Sequence, residues 1–437
     1  MPNLTDLVCD GRSTDIHRLV IDFDRDDPYL FRDVLANRKL AEAMGGPRSS
    51  VDVLTRLFAG PPAAARVPFL PRDRLLSAAE RRAAEAAFAE TLATGETTSG
   101  RHVARFEDEI AAYLGIRHVI GASSGTDALT ISLVALGIGP GDEVIIPANS
   151  FAATENAVLA TRAVAVLADV GPDDGNLDPA AVAAVVTGRT RAIVPVHLNG
   201  RLADLPALRA VADAHGLWVV EDACQAIGLR GIGENSHAVA LSFNPFKNFG
   251  LPGKAGAVLT DDDALAARCR EIGYHGFVPG RKNEKRAPFG LNARIDNTLA
   301  AVGLALLPYL SLNNFKRAYL ARRYAEALRP LRDSGRLAVP EFTADHVWHL
   351  FAVQVLDGPP RDAVRADLLD RHGVETDVYY PVLTHRQRTW RRPAHYASAS
   401  LPVTERVHAR QINLPLHHHL TLVEQDRIAE AVHAVLR

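Results

Sequence analysis

Three short segments of this 437-residue chain carry residue types that could act together in catalysis. The first is Ser123-Ser124-Gly125-Thr126, which follows an apolar run and opens a helical pattern. Backbone amides at a helix N-terminus, beside small hydroxyl residues, form a site that suits a phosphate. Taken alone, the segment is more simply interpreted as an ordinary serine or threonine helix cap.

The second segment places acidic residues at the carboxyl end of a predicted buried strand. There Val219-Val220 is followed by Glu221-Asp222-Ala223-Cys224-Gln225. This is the edge at which open α/β sheets bind ligands. A buried carboxylate such as Asp222 requires a partner, and a protonated heterocyclic nitrogen is one suitable partner. A turn or cap at the strand end explains the segment equally well in isolation.

The third segment contains Lys247, one of only six lysines in the chain. It follows the predicted strand Val239–Phe243 and lies between Phe246 and Phe249. An apolar pocket lowers the pKa of an amine and so favours the free base that forms an imine. For any single lysine, a position in a surface loop is the usual alternative.

Together, the three segments match the needs of one cofactor, pyridoxal phosphate (PLP). Lys247 would form a Schiff base with its aldehyde, Asp222 would keep its pyridine nitrogen protonated, and the residues around Gly125 would hold its phosphate. Two glycine-rich strings, beginning at Gly137 and Gly228, lack the position and spacing of a dinucleotide fingerprint, so Rossmann-type NAD binding is disfavoured.

We predict no metal site. Consecutive side chains in His417-His418-His419 point in different directions and cannot all face one ion, so the string is predicted to be a loop. The three cysteines are too few and too scattered for a thiolate metal site or a disulfide framework.

The composition excludes several classes of protein. With 49 basic and 51 acidic side chains, the formal net charge is −2, which gives no support for binding nucleic acid or anionic membranes. No secretory signal follows Met1, and the longest apolar run, Leu299–Leu312, is shorter than a membrane span of roughly 20 residues. We therefore expect a cytoplasmic protein with no nucleic-acid or membrane partner.

The elements that position these segments alternate regularly from about residue 74. Predicted strands are 118–121, 143–147, 163–169, 191–197, 217–221, 239–243 and 255–260, with helices between most of them. This pattern predicts a doubly wound α/β domain over 67–290. Over 291–437 it predicts long helices and a smaller α/β domain, including strands at 347–355 and 374–379. Residues 1–66 form an extension of unknown role.

Residues 67–437 resemble the DegT/DnrJ/EryC1/StrS family of PLP-dependent aminotransferases, a branch of fold type I. The matching stretches include 67–70, 98–100, 106–107, 123–126, 147–151, 195–197, 221–226, 242–243 and 247–248. The resemblance implies an α/β fold with a large domain, whose mainly parallel seven-stranded sheet is flanked by helices, and a smaller C-terminal domain.

The resemblance also implies site residues. Lys247 would be the Schiff-base lysine and the base that moves the proton, Asp222 would pair with the pyridine nitrogen, and Gln225 would lie near the ring hydroxyl. Phe151 would stack on the ring. The phosphate would be held by Gly125, Thr126 and Ser242 and reached by Asn292 of the neighbouring subunit, which makes a homodimer with shared active sites the expected assembly.

The chain departs from the family pattern near the expected substrate site. It has Lys254-Ala255 where the family usually has an acidic residue and glycine, and Asn199 where a tyrosine is common. Family members that act as dehydratases have histidine at the lysine position, so Lys247 favours transamination. Residues 1–66 have no counterpart in the family.

The expected reaction is transfer of an amino group from an amino acid, glutamate or glutamine, to a keto-sugar or keto-cyclitol in specialised, antibiotic-type metabolism. Two alternatives stay open. One couples amination to dehydration of a cyclic keto acid and yields an amino-aromatic product. The other is a non-catalytic regulator on the same fold, against which the intact set of Lys247, Asp222 and Ser242 argues.

Overall fold

The computed structural model describes residues 57–60, 65–281, 283–389, 393, 395–396 and 399–437. Most of the extension predicted at 1–66 therefore lies outside the described residues. Within its described part, Phe58 is 5% exposed and its ring centroid lies 5.4 Å from that of Tyr319. Phe58 thus packs into the hydrophobic core of the C-terminal unit.

A seven-stranded sheet forms the centre of the larger unit. Its strands are β1 (His118–Ala122), β2 (Glu143–Pro147), β3 (Val164–Ala168), β4 (Thr190–Ile193), β5 (Trp218–Asp222), β6 (Ala238–Ser242) and β7 (Gly256–Thr260). Their order is β1-β7-β6-β5-β4-β2-β3. β7 is antiparallel to both β1 and β6, and the other neighbouring strands pair in parallel. The predicted mainly parallel seven-stranded sheet is confirmed.

Helices flank this sheet on both faces, which explains why strands such as β2 and β7 are buried at every position. The helices of the larger unit are α1 (Ala78–Thr94), α2 (Arg101–Leu114), α3 (Gly125–Ala135), α4 (Ala152–Ala160), α5 (Pro179–Val185), α6 (Leu205–His215) and α7 (Asp263–Gly273). Asp178, Asp204 and Asp262 cap α5, α6 and α7 through side chains that accept backbone N–H hydrogen bonds in the first turn.

The smaller unit contains a three-stranded antiparallel sheet in the order β10-β9-β8. Its strands are β8 (Leu337–Ala338), β9 (Phe351–Val355) and β10 (Gln411–Leu414). The remaining helices are α8 (Asn297–Leu306), α9 (Leu310–Ala327), α10 (Arg329–Asp333), α11 (Arg361–His372), α12 (Pro402–Arg410) and α13 (Leu422–Val435). Short 3₁₀ turns lie at Arg72–Arg74, Leu198–Gly200, Leu307–Tyr309 and Thr384–Arg386.

The strand predicted at 374–379 is wrong. Val374 makes an isolated parallel bridge with Val67, and Asp377 makes an isolated antiparallel bridge with Asn413. Because Val374 and Asp377 pair with different segments, residues 374–379 form no continuous ladder. It instead leads into Tyr379 and Tyr380, which face the cavity between the two units.

The stretch Asn297–Ala327 combines α8, a 3₁₀ turn and α9, and by length and mean hydropathy alone it could cross a membrane. In the fold, 56% of its most apolar window is buried. A Cβ atom added at Gly303 would lie 2.5 Å from Cε2 of Phe106 in α2, so the two helices approach closely. The stretch therefore serves as a core element that joins the two units.

Buried histidines make the fold sensitive to acid. Burial, reinforced by nearby cations, lowers the pKa of His349, His417 and His418 well below its usual value, and burial lowers the pKa of His346 to about 3. Within the described part of the chain, both ring nitrogens of His417 and His418 lack a hydrogen-bond partner. The folded protein therefore holds these imidazoles neutral.

We expect the free energy of unfolding to fall as the pH drops below about 6.5, the pKa of an unfolded histidine. Each such histidine then binds a proton only in the unfolded state, which costs the fold about 1.4 kcal/mol per pH unit. Urea unfolding between pH 7.5 and 5.5 measures how the free energy of unfolding depends on pH. His418→Leu removes one of these histidines, so it should reduce the slope by up to about 1.4 kcal/mol per pH unit. A stability that does not change over this pH range would contradict the burial of these groups.

Candidate active site

A cavity of about 650 Å³ opens where the carboxyl ends of β5 and β6 meet the segment that follows β1. This edge of a mainly parallel sheet is the position at which α/β folds bind ligands. The smaller unit closes the opposite wall through Asp377–Pro381. The cavity is lined by Ser124, Gly125, Thr126, Phe151, Ala153, Val196, Asp222, Cys224, Gln225, Ser242, Asn244, Phe246, Lys247, Lys254, Ala255, His349, Asp377, Val378, Tyr379, Tyr380 and Pro381.

Lys247 lies in the turn after β6, where its backbone N–H donates to the carbonyl oxygen of Asn244 at 2.9 Å. Burial lowers the pKa of Lys247, while the nearby Cys224 and Asp222 act in the opposite direction. The free-base form of the amine is therefore favoured more than in water, as imine formation requires.

Asp222 ends β5 and is 5% exposed. Thr154 Oγ1 donates to Asp222 Oδ2 at 2.7 Å, and the backbone N–H of Cys224 donates to Oδ1 at 3.2 Å. Both donors are neutral, so they fix the orientation of the carboxylate without neutralising its charge. The carboxylate is therefore available to pair with a protonated group in the cavity.

The predicted phosphate cradle is built from closely packed small residues. Ser124 caps α3, its Oγ accepting from the backbone N–H of Asp127 at 3.1 Å. A Cβ atom at Gly125 would lie 2.6 Å from Cys224 Sγ and 2.9 Å from Ser242 Cβ. Only glycine therefore fits at the first position of α3, and its backbone lies directly beside the hydroxyl-bearing end of β6.

Gln225 is held between two partners. The backbone N–H of Asn199 donates to Gln225 Oε1 at 2.7 Å, and Gln225 Nε2 donates to the Tyr380 hydroxyl at 2.9 Å. The Asn199 side chain turns away from the cavity, since its Oδ1 accepts from Asn413 Nδ2 at 3.4 Å. The departure at Asn199 thus contributes a backbone donor, and Tyr380 of the smaller unit supplies a phenol to this wall.

The remaining two predicted site residues lie at the edge of the site or outside it. Phe151 is 57% exposed, with its ring centroid 5.4 Å from that of Tyr380. Asn292 is exposed and pairs through its backbone with Tyr274, outside the lining of this cavity. One chain therefore brings together Gly125, Thr126, Phe151, Asp222, Gln225, Ser242 and Lys247, but it leaves Asn292 apart.

Tyr380 and His349 are among the lining residues that sequence reasoning missed. His349 Nδ1 lies 3.0 Å from Asn248 Oδ1, and Asn248 Nδ2 donates to the carbonyl oxygen of Val347 at 3.0 Å. Asn248 follows the lysine directly, so this network fixes the backbone that carries Lys247. Nothing in the local sequence distinguishes Tyr380 or His349 as a site residue.

The cavity residues fit PLP. Gly125 and Thr126 at the start of α3 line the cavity together with Ser242 and can bind a phosphate, Asp222 offers a carboxylate to a protonated ring nitrogen, and Lys247 offers an amine to an aldehyde. The volume lies within the usual range for small-molecule sites, about 300–1,000 Å³. Among the described residues, no group of three or more His, Cys, Asp or Glu side chains is arranged to hold a metal ion. The loop predicted at His417–His419 is observed.

Residues 79–433 match the model of the DegT/DnrJ/EryC1/StrS aminotransferase family. The chain belongs to this family. Its members are PLP-dependent aminotransferases, so the chain is an enzyme of that class and PLP is its cofactor. The predicted family, fold class, enzyme class and cofactor are thereby confirmed.

Relatives of this DegT-family chain include sugar aminotransferases. It is 46% identical over 376 residues to 3-oxo-glucose-6-phosphate:glutamate aminotransferase of Bacillus subtilis (strain 168), covering 85% of this chain and 84% of the relative. It is 41% identical over 376 residues to dTDP-3-amino-3,4,6-trideoxy-alpha-D-glucose transaminase of Streptomyces venezuelae, covering 84% and 95%.

A solved structure extends the likeness to the whole fold. The crystal structure of NtdA from Bacillus subtilis with bound cofactor PMP superposes with a TM-score of 0.88 at 44% identity, covering 92% of each chain. PMP, the group bound in that structure, is the amine form of the cofactor.

Proposed function

We propose that this aminotransferase moves the amino group of glutamate to the ketone of a keto-sugar, with a keto-hexose phosphate as the favoured acceptor. The observation that carries the proposal is that Lys247 and Asp222 line one cavity. The choice of acceptor and donor follows the 46% identity to a 3-oxo-glucose-6-phosphate:glutamate aminotransferase. The second named relative, a dTDP-sugar transaminase, supports a keto-sugar as the acceptor class. Keto-cyclitols and glutamine are the alternative acceptor and donor to be tested.

When bound, PLP supplies an aldehyde and an electron-accepting ring. In our proposal, Lys247 would hold the aldehyde carbon until the amino group of glutamate displaces it, and the freed amine would then carry a proton between the substrate carbon and the cofactor. The charge of Asp222 holds the proton on the ring nitrogen, and Thr154 holds that carboxylate in place. Without this proton the ring would accept electrons poorly, so Lys247 and Asp222 act together.

The other residues position the cofactor in this proposal. Gly125, Thr126 and Ser242 bind its phosphate, Gln225 lies beside its ring hydroxyl, and Phe151 covers one face of the ring. Gln225 is suited to this because Tyr380 and the backbone of Asn199 already fix its amide.

We further propose a homodimer in which Asn292 reaches the partner's phosphate. The exposure of Asn292 and its distance from the lining of its own cavity support this arrangement. We also propose that the enzyme works in the cytoplasm and makes an amino sugar for specialised, antibiotic-type metabolism. The described cysteines, Cys224 and Cys269, are both unpaired, which fits a reducing compartment.

The test is a matrix of amino donors and acceptors with PLP-loaded protein. The donors are glutamate and glutamine, and the acceptors are 3-oxo-glucose 6-phosphate, a nucleotide-linked keto-sugar, a keto-cyclitol and a cyclic keto acid. We expect 2-oxoglutarate to form from glutamate in step with an amino sugar, measured by mass spectrometry. Turnover of glutamate with the keto-cyclitol or the cyclic keto acid, but with neither keto-sugar, would contradict the proposed acceptor class.

Product mass separates the alternatives. Transamination exchanges the carbonyl oxygen for an amine, whereas the amino-aromatic alternative also removes water. A protein that binds PLP but turns over no donor would favour the regulatory alternative.

A further inference from the structure

Lys254 is a second lysine in the wall of the cavity. It is exposed, and it lies in the turn that enters β7. In the described lining of the cavity, the basic side chains of the lysine or arginine type are Lys247 and Lys254. The carboxylates in this lining are Asp222 and Asp377. The proposed function gives roles to Lys247, Asp222 and the phosphate cradle, but it gives none to Lys254.

The backbone places Lys254 at the phosphate end of the cavity. Two residues further on, Gly256 pairs with Ser242 across the β6–β7 ladder. A Cβ atom at Gly256 would lie 2.5 Å from the carbonyl carbon of Ser124, so β7 begins in direct contact with the residue that caps α3. The backbone of Lys254 therefore lies near Ser242 and the first residues of α3.

A phosphate at this position needs a positive charge. A phosphate monoester carries about −1.5 to −2 charges at pH 7, whereas a helix N-terminus supplies only about +0.5. The hydroxyl of Ser242 is neutral, and burial moves Lys247 towards its neutral form. Lys254 is the remaining cation in the described lining, and its exposed side chain can reach into the cavity without being desolvated.

We propose that the ammonium group of Lys254 binds a phosphate monoester in this cavity and selects ligands that carry one. The phosphate is that of the cofactor or that of a phosphorylated acceptor. The inference rests on the proposed function and adds a specificity-determining residue to it.

The experiment compares Lys254→Gln with Arg371→Gln, which removes an exposed charge from α11 outside the cavity. One arm measures the dissociation constant of PLP by absorbance titration of the apoenzyme. The second arm measures the dissociation constants of glucose 6-phosphate and glucose for the PLP-loaded enzyme by calorimetry. Because Lys254 is exposed, its substitution should leave folding intact.

We expect Lys254→Gln to weaken binding in one arm by about tenfold or more, as for loss of a charge-assisted hydrogen bond. Weaker PLP binding assigns Lys254 to the cofactor phosphate, whereas weaker glucose 6-phosphate binding with unchanged glucose binding assigns it to the acceptor. Lys254→Arg should restore most of the affinity, and Arg371→Gln should change neither constant.

Unchanged constants in both arms would overturn the inference and leave the proposed function standing if the wild type still forms 2-oxoglutarate from glutamate. A wild-type protein that binds neither PLP nor glucose 6-phosphate would contradict both.

Discussion

Substitution of Lys247 by alanine is expected to lower kcat by about 10³-fold or more, because one amine serves as both nucleophile and proton carrier. The fold should persist, since burial disfavours the charged amine and its loss removes that cost. PLP should still bind through the cradle at Gly125 and the carboxylate of Asp222. The measurement is the glutamate half-reaction followed by absorbance, together with circular dichroism of the variant.

Lys247→Arg is the matched control. It keeps a long basic side chain at the site, but a guanidinium stays protonated and can act neither as the nucleophile nor as the base, so it should be as inactive as the alanine variant. Arg371→Gln, outside the cavity, should keep full activity. Full activity of Lys247→Ala would show that another lysine is the reactive one.

Substitution of Asp222 by asparagine is expected to lower kcat by about 10²- to 10³-fold, or about 3–4 kcal/mol, as is usual when one electrostatic partner of the transition state is removed. Asparagine keeps the shape and can still accept from Thr154, but it carries no charge to hold the proton on the ring nitrogen. The effect should therefore fall on kcat more than on KM. The absorbance band of bound PLP should also shift, because it depends on the protonation of the ring.

Thr154→Val is the control for Asp222→Asn. It removes the 2.7 Å hydrogen bond to the carboxylate and leaves the charge, so we expect a loss of activity of about tenfold. An Asp222→Asn enzyme with wild-type kcat and an unshifted absorbance band would contradict the pairing of Asp222 with the ring nitrogen.

The large sheet could be predicted because its strands are continuous runs of valine, isoleucine and alanine. β2, for example, was predicted at its observed bounds, Glu143–Pro147. Strands of a parallel sheet are buried on both faces and therefore appear as continuous apolar runs, so the local sequence is enough to locate them. The lysine and acid at the ends of β6 and β5 could be placed at one edge for the same reason.

The smaller unit could not be predicted as well, because its pairing is not local. β10 joins β9 across more than 50 residues, and Val374 pairs with Val67 instead of with either strand. Tyr380 reaches Gln225 only because this segment crosses the gap between the two units. The role that we propose for Asn292 requires a second chain, so the fold of one chain could not supply it.

The most direct test of the central claim is the site of covalent attachment of PLP. The PLP-loaded protein is reduced with borohydride and digested so that Lys247 and Lys254 fall on different peptides, and the peptides are analysed by mass spectrometry. We predict a single phosphopyridoxyl group, located on Lys247. A label on Lys254 or on any other lysine, or a PLP-binding protein that cannot be labelled, would contradict the assignment of Lys247 as the reactive amine.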